Sequence, residues 1–147
     1  MIPFLVFLVS GAAFWLAGRA GVTMFQGLGA VLRFAMGLML LLTASAHWGA
    51  RRADLIRIVP PAFSRPDRLV TLTGVLELLG AIGLFLRATA PAAGICLALL
   101  LLALFPANVH AARHGLTIGG RRVPGLPVRA AMQVVFVAAL IGAALLK

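Results

Sequence analysis

The chain is laid out as five long apolar stretches separated by short polar ones. They run from Ile2 to about Ala17, from about Gln26 to Trp48, from Leu69 to Leu86, from Pro91 to Ala112 and from Pro127 to Leu146. Each is close to the roughly 20 residues that a helix needs to cross a bilayer core. In hydrocarbon the backbone must satisfy its own polar groups, so stretches of this length predict transmembrane helices. The first has the length of a signal-peptide core. No Lys or Arg precedes it, however, and Ala17-Gly18-Arg19-Ala20 is a poor cleavage site. It reads as a retained helix extending toward Ala20. Pro127 suits a first helical turn, where its missing N–H costs nothing. Pro106 removes the helical bond to the Leu102 carbonyl and predicts a kink beside Asn108.

Most of the charge lies between these stretches. Residues 49–68 hold Arg51, Arg52, Arg57, Arg65 and Arg68, with Asp54 and Asp67. Within them, Arg52 to Val59 reads as a short amphipathic helix in the interface, broken by the prolines that follow. Residues 113–125 hold Arg113, Arg121 and Arg122 among glycines and prolines and read as a loop, with Arg129 just beyond. Counting spans puts both basic segments on one side, whether or not the first stretch crosses. The positive-inside rule makes that side the cytoplasm. With five spans the N-terminus is inside, and Arg19, Arg87 and Lys147 fall outside. A peripheral first segment would move only the N-terminus. The division is residues 1–25, an N-terminal transmembrane helix and short outer loop, and residues 26–147, a four-helix transmembrane domain.

Composition removes the alternatives to a membrane protein. Hydrophobic residues are 63% of the 147 and charged ones 11%, with a mean hydropathy of +1.10. Soluble domains are roughly half apolar and a quarter charged, so a soluble enzyme, a disordered tail and a disulfide scaffold are excluded. The net charge of +10 would suggest nucleic acid in a soluble chain. Arginines concentrated in two loops instead suit anionic lipid head groups, and no nucleic-acid partner is expected. Cys96 is the one cysteine, so no intramolecular disulfide or CxxC pair can form.

Polar groups inside the apolar stretches carry the candidate chemistry. A charge at the bilayer centre costs about 2.5–3.5 kcal/mol on insertion scales, so it needs a partner or a function. Glu77 lies about eight residues into its stretch, roughly 12 Å along the axis, which places it near mid-membrane. His47 and Asn108 end helices running inward, as does His110. Arg129 and Gln133, four residues apart and on one face, begin a helix running outward. These directions predict one polar pocket of Glu77, His47, Asn108, Arg129 and Gln133, open toward the cytoplasm. Each residue also has a structural reading. His47 with Trp48 suits an interfacial anchor, Asn108 and Gln133 suit bonds between helices, and Arg129 suits a snorkelling anchor. Glu77 suits a protonated carboxyl bonded within the bundle. No metal site is expected. The second and fourth stretches end alike, in Ala-His47-Trp48 and Ala-Asn108-Val-His110, which hints at a parallel repeat of two helix pairs.

The run Thr71-Leu-Thr-Gly74-Val-Leu-Glu77-Leu-Leu-Gly80-Ala-Ile-Gly83, followed by Phe105-Pro106-Ala107-Asn108-Val109-His110 and Leu126-Pro127-Val-Arg129-Ala-Ala-Met-Gln133, resembles the DoxX family of small bacterial membrane proteins. The resemblance covers about Val31 to Leu146; the first helix lies outside the usual four-helix core. It implies a multi-pass protein of the bacterial inner membrane, associated with oxidoreductase assemblies or thiol stress, and not a self-sufficient enzyme. Three functions are expected from residues and resemblance together. The first is an accessory subunit of a redox system that binds a quinone in the Glu77 pocket, with a membrane oxidoreductase as partner. The second is a non-enzymatic scaffold or assembly chaperone, and the third a proton-coupled carrier. A homo-oligomer is compatible with all three.

Overall fold

The computed structural model describes residues 2–146; Lys147 and its expected outer position lie outside them. The five apolar stretches form helices long and apolar enough to span a bilayer. Helix α1 is Ile2–Arg19, α2 Leu28–Ser45, α3 Arg52–Ile58, α4 Pro66–Phe85, α5 Ala90–Ala103, α6 Phe105–Arg113 and α7 Leu126–Leu145. The expected amphipathic segment is thus a two-turn helix, α3.

Helices α2, α4, α5 and α7 close a four-helix ring in which each touches the next and α7 returns to α2. Helix α1 packs along α2 from outside, and its Phe4 and Phe7 rings reach Phe136 of α7. The expected fold, an all-α bundle with an added N-terminal helix, is therefore the one observed. The core is filled by Met36 and Leu40 of α2, Leu84 of α4, Leu97 of α5 and Leu140 of α7. Polarity does not distinguish core from surface here. Leu79 of α4, Leu99 of α5 and Val134 of α7 all stand exposed on the outward faces, as helices surrounded by lipid require. Small residues set the helix spacing instead. A Cβ on Gly94 of α5 would lie 2.7 Å from the Leu140 carbonyl oxygen of α7.

Both ends of the bundle are fastened. At one end, the rings of Phe14, Phe25, Phe34 and Phe85 pack in succession, tilted or edge-to-face, with centroids 4.7 Å apart for Phe14–Phe25, 5.0 Å for Phe25–Phe34 and 5.5 Å for Phe34–Phe85. Arg33 Nε donates to the Leu84 carbonyl at 3.1 Å, one of the last-turn carbonyls of α4 that lack a helical partner. At the other end the two basic segments fold against each other. Asp54 of α3 accepts from Arg57 through Oδ1 at 2.8 Å and from the Gly119 amide through Oδ2 at 2.7 Å. Arg57 also donates to the Thr117 carbonyl at 3.1 Å. The sequence argument that placed these segments on one side agrees with this contact.

Three boundaries differ from expectation. Residues 113–125 are not simply a loop: β1 Thr117–Ile118 pairs antiparallel with β2 Arg121–Arg122. Gly119 and Gly120 turn between them with φ of 58° and 74°, the positive values of a two-residue hairpin turn. The fourth stretch is divided at Leu104 into α5 and α6, two residues before Pro106 and four before the kink expected beside Asn108; a proline disturbs the turn that precedes it. Helix α4 starts at Pro66 rather than Leu69, because Pro at the first turn and Asp67 after it favour a helix start that hydropathy does not register.

Candidate functional site

Helix α4 turns one seam inward: Val70, Gly74, Glu77, Ala81 and Leu84 are its buried residues, spaced three or four apart. Glu77 is 6% exposed. Its side chain tilts toward the start of α4, as helical side chains do, and meets α2 at Thr43 in that helix's last turn. Thr43 Oγ1 lies 3.0 Å from Glu77 Oε2 and 3.0 Å from the Leu40 carbonyl. The carboxyl group thus sits nearer the basic-segment end than a count of residues along α4 suggests.

His47 lies just past α2, buried at 7% exposure. Its imidazole packs on Gly74, where a Cβ would come within 2.6 Å of His47 Cβ and Cγ. The position must therefore lack a side chain. His47 Nδ1 is 2.6 Å from the Val70 carbonyl. A carbonyl only accepts, so Nδ1 carries a proton. The other ring nitrogen, Nε2, faces Glu77 Oε1 at 3.6 Å, within ion-pair range but longer than a direct hydrogen bond. If Nε2 and the carboxylate were both without a proton, a lone pair would face a negative charge in a buried site. One shared proton removes that conflict, either as imidazolium with carboxylate or as imidazole with carboxylic acid. Arg52 closes the site from below. Its guanidinium donates to the His47 carbonyl at 2.8 Å, to the Asp67 carbonyl at 3.1 Å and to Thr71 Oγ1 at 2.9 Å.

A second polar group lies on the seam of α6 and α7. Arg129 donates to Asn108 Oδ1. Asn108 Nδ2 approaches Gln133 Oε1 at 3.5 Å, and Gln133 Nε2 donates to the Leu101 carbonyl at 2.6 Å. Leu101 stands just before the break in the fourth stretch, where backbone carbonyls lose helical partners. Gln133 supplies one of them, as an interrupted helix in lipid demands. Arg129 turns inward and is half-buried; its Nε is buried without a hydrogen-bond partner.

The five residues expected in one pocket therefore share one end of the bundle but form two groups. His47 and Glu77 pair across α2 and α4, and Asn108, Arg129 and Gln133 pair across α6 and α7. No hydrogen bond joins the groups among the described residues. His110 belongs to neither; its ring stacks on His114 with centroids 4.2 Å apart. Thr43 and Arg52 belong to the first group and were not foreseen. The four-residue spacing of Thr43 and His47 was the available signal for Thr43. In each half of the bundle, α2 with α4 and α5–α6 with α7, the end of one helix offers polar groups to the next. Among the described residues no three His, Cys, Asp or Glu side chains converge as a metal site would require.

Fold and site together define an all-α bundle of spanning length with two buried polar groups at its basic end. A family model described as a domain of unknown function, DUF8561, matches residues 36–145. The chain belongs to that family, whose match takes in all five candidate residues and leaves out α1. Neither a curated protein nor a solved structure matches the chain.

Proposed function

We propose that the protein is an accessory subunit of a quinone- or thiol-linked redox system in the bacterial inner membrane, of the DoxX type, with its basic end in the cytoplasm. The observation that carries this reading is the His47–Glu77 pair, a buried acid and base facing each other at 3.6 Å. A quinone reduced in the membrane takes up protons, and a buried pair that holds one proton is suited to deliver it. Arg129, Asn108 and Gln133 supply donors for the carbonyl oxygens of a head group. Titrating the purified protein with a quinone tests the assignment. Saturable binding that Glu77→Gln and Asn108→Ala weaken supports it. Wild-type affinity in both variants removes it.

A second reading is favoured by a different observation. Gln133 and His47 both spend a bond on the bundle's own backbone, at Leu101 and Val70. Polar groups used in this way suit a non-enzymatic scaffold or assembly chaperone. That function predicts co-purification with a larger membrane complex, and loss of that association without any ligand in Glu77→Gln. A carrier would instead show uptake into vesicles that depends on a pH gradient.

A further inference from the structure

Outside both polar groups, a surface cavity of about 340 Å³ opens at the start of α4, lined by Phe63, Ser64, Arg65, Arg68, Leu69 and Leu72. We propose that it binds one anionic glycerophospholipid, with the phosphate between Arg65 and Arg68 and an acyl chain along α4. The two cations are free for such a ligand. Among the described residues neither makes an ion pair or a side-chain hydrogen bond; the ion pairs present are His47 with Glu77 and Arg57 with Asp54. Arg65 stands at the N-cap of α4 without a side-chain capping bond, so the positive end of the helix adds to the same field. Asp67 is the one acid nearby. At 100° per residue it projects to a different side of the helix from Arg65 and Arg68.

What selects a lipid over a soluble anion is the continuation of this face. Leu69 and Leu72 lie one and two turns along α4 from Arg65, and Leu76 and Leu79 prolong the column. Leu72 is 54% and Leu79 61% exposed. The buried seam of Val70, Gly74 and Glu77 lies on the opposite side of the helix. A cationic pair above a column of exposed leucines matches a phospholipid, whose charge sits at the interface and whose chain runs into the core. Phe63, exposed in the loop before α4, and the Ser64 hydroxyl complete the wall. Arginines near a membrane surface contribute about 1 kcal/mol each toward anionic lipid, so two predict a preference on the order of thirtyfold over a zwitterionic lipid.

Native mass spectrometry of the purified full chain, titrated with phosphatidylglycerol or phosphatidylcholine, tests this. The expected result is one saturable phosphatidylglycerol site that Arg65→Gln/Arg68→Gln weakens by at least tenfold. Arg121→Gln/Arg122→Gln removes the same charge from the hairpin at the same end and is expected to retain the site. Leu72→Asn is expected to weaken lipid binding without changing helical content. Equal loss in both arginine pairs would reduce the effect to general charge and overturn the proposal. Unchanged binding in the Arg65/Arg68 variant, or equal binding of the zwitterionic lipid, would also overturn it. So would displacement of the lipid by millimolar inorganic phosphate, which would make this a soluble-anion site.

Discussion

Gly74→Ala adds one methyl group at the closest point between α4 and the His47 ring. The new Cβ would stand 2.6 Å from both His47 Cβ and Cγ, and 2.9 Å from Nδ1. Carbon atoms in contact prefer about 3.5–4.0 Å, so roughly 1 Å of overlap must be relieved. The clashing atoms are not a flexible tip. They lie at the root of a side chain whose ring is tied to the Val70 carbonyl at 2.6 Å and whose backbone carbonyl is held by Arg52. Overpacking of this kind costs about 1–3 kcal/mol, and the gain from replacing glycine by alanine in a helix returns about 1 kcal/mol. The net expectation is a loss of up to about 2 kcal/mol. Gly11→Ala is the control. Its Cβ would meet Ala35 Cβ at 3.7 Å, an ordinary contact, and should stabilise α1 by up to about 1 kcal/mol. Unfolding in mixed micelles, followed by helical circular dichroism, measures both. A double-mutant cycle with His47→Gly, which removes Cβ as well as the ring, isolates the clash, because Gly74→Ala should then lose most of its cost. The reasoning fails if Gly74→Ala is as stable as Gly11→Ala, or if its cost persists in His47→Gly.

Three further outcomes follow from the same contacts. Gln133→Leu leaves the Leu101 carbonyl without its donor and should destabilise the bundle by about 0.6 kcal/mol, up to ~1.7; a variant as stable as wild type in micelle unfolding would show that the break needs no partner. Arg52→Lys keeps the charge but cannot reach three acceptors with a planar fork, so hydrogen exchange in the first turns of α4 should quicken, and unchanged protection there would deny Arg52 its linking role. Asp54→Asn removes the charge that holds Gly119 and Arg57; the Gly119 amide should exchange faster with little change in global stability, since the Arg57 partner is more than half exposed and such pairs contribute little.

The architecture was legible because membrane insertion sums hydropathy over about 20 residues, and no single polar residue changes that sum. Details decided by one or two residues were harder to read. The start of α4 lies on polar residues that hydropathy discounts. The Gly119-Gly120 hairpin has a readable turn signal, but its strands are two residues long, too short for any alternation. The site was legible by side and not by partner. Helix direction brought His47, Glu77, Asn108, Arg129 and Gln133 to one end of the bundle. Which groups meet depends on rotation about each helix axis. That rotation is set by contacts such as Gly74 against His47 and Gly94 against α7, which leave no mark in a hydropathy pattern.

Nitrogen-15 NMR of the His47 ring, in lipid bilayers near neutral pH, reads the buried pair directly. The account predicts a protonated Nδ1 hydrogen-bonded to a carbonyl, and an Nε2 resonance that moves in Glu77→Gln while Nδ1 stays in place. A ring carrying its only proton on Nε2, and indifferent to Glu77→Gln, would contradict it.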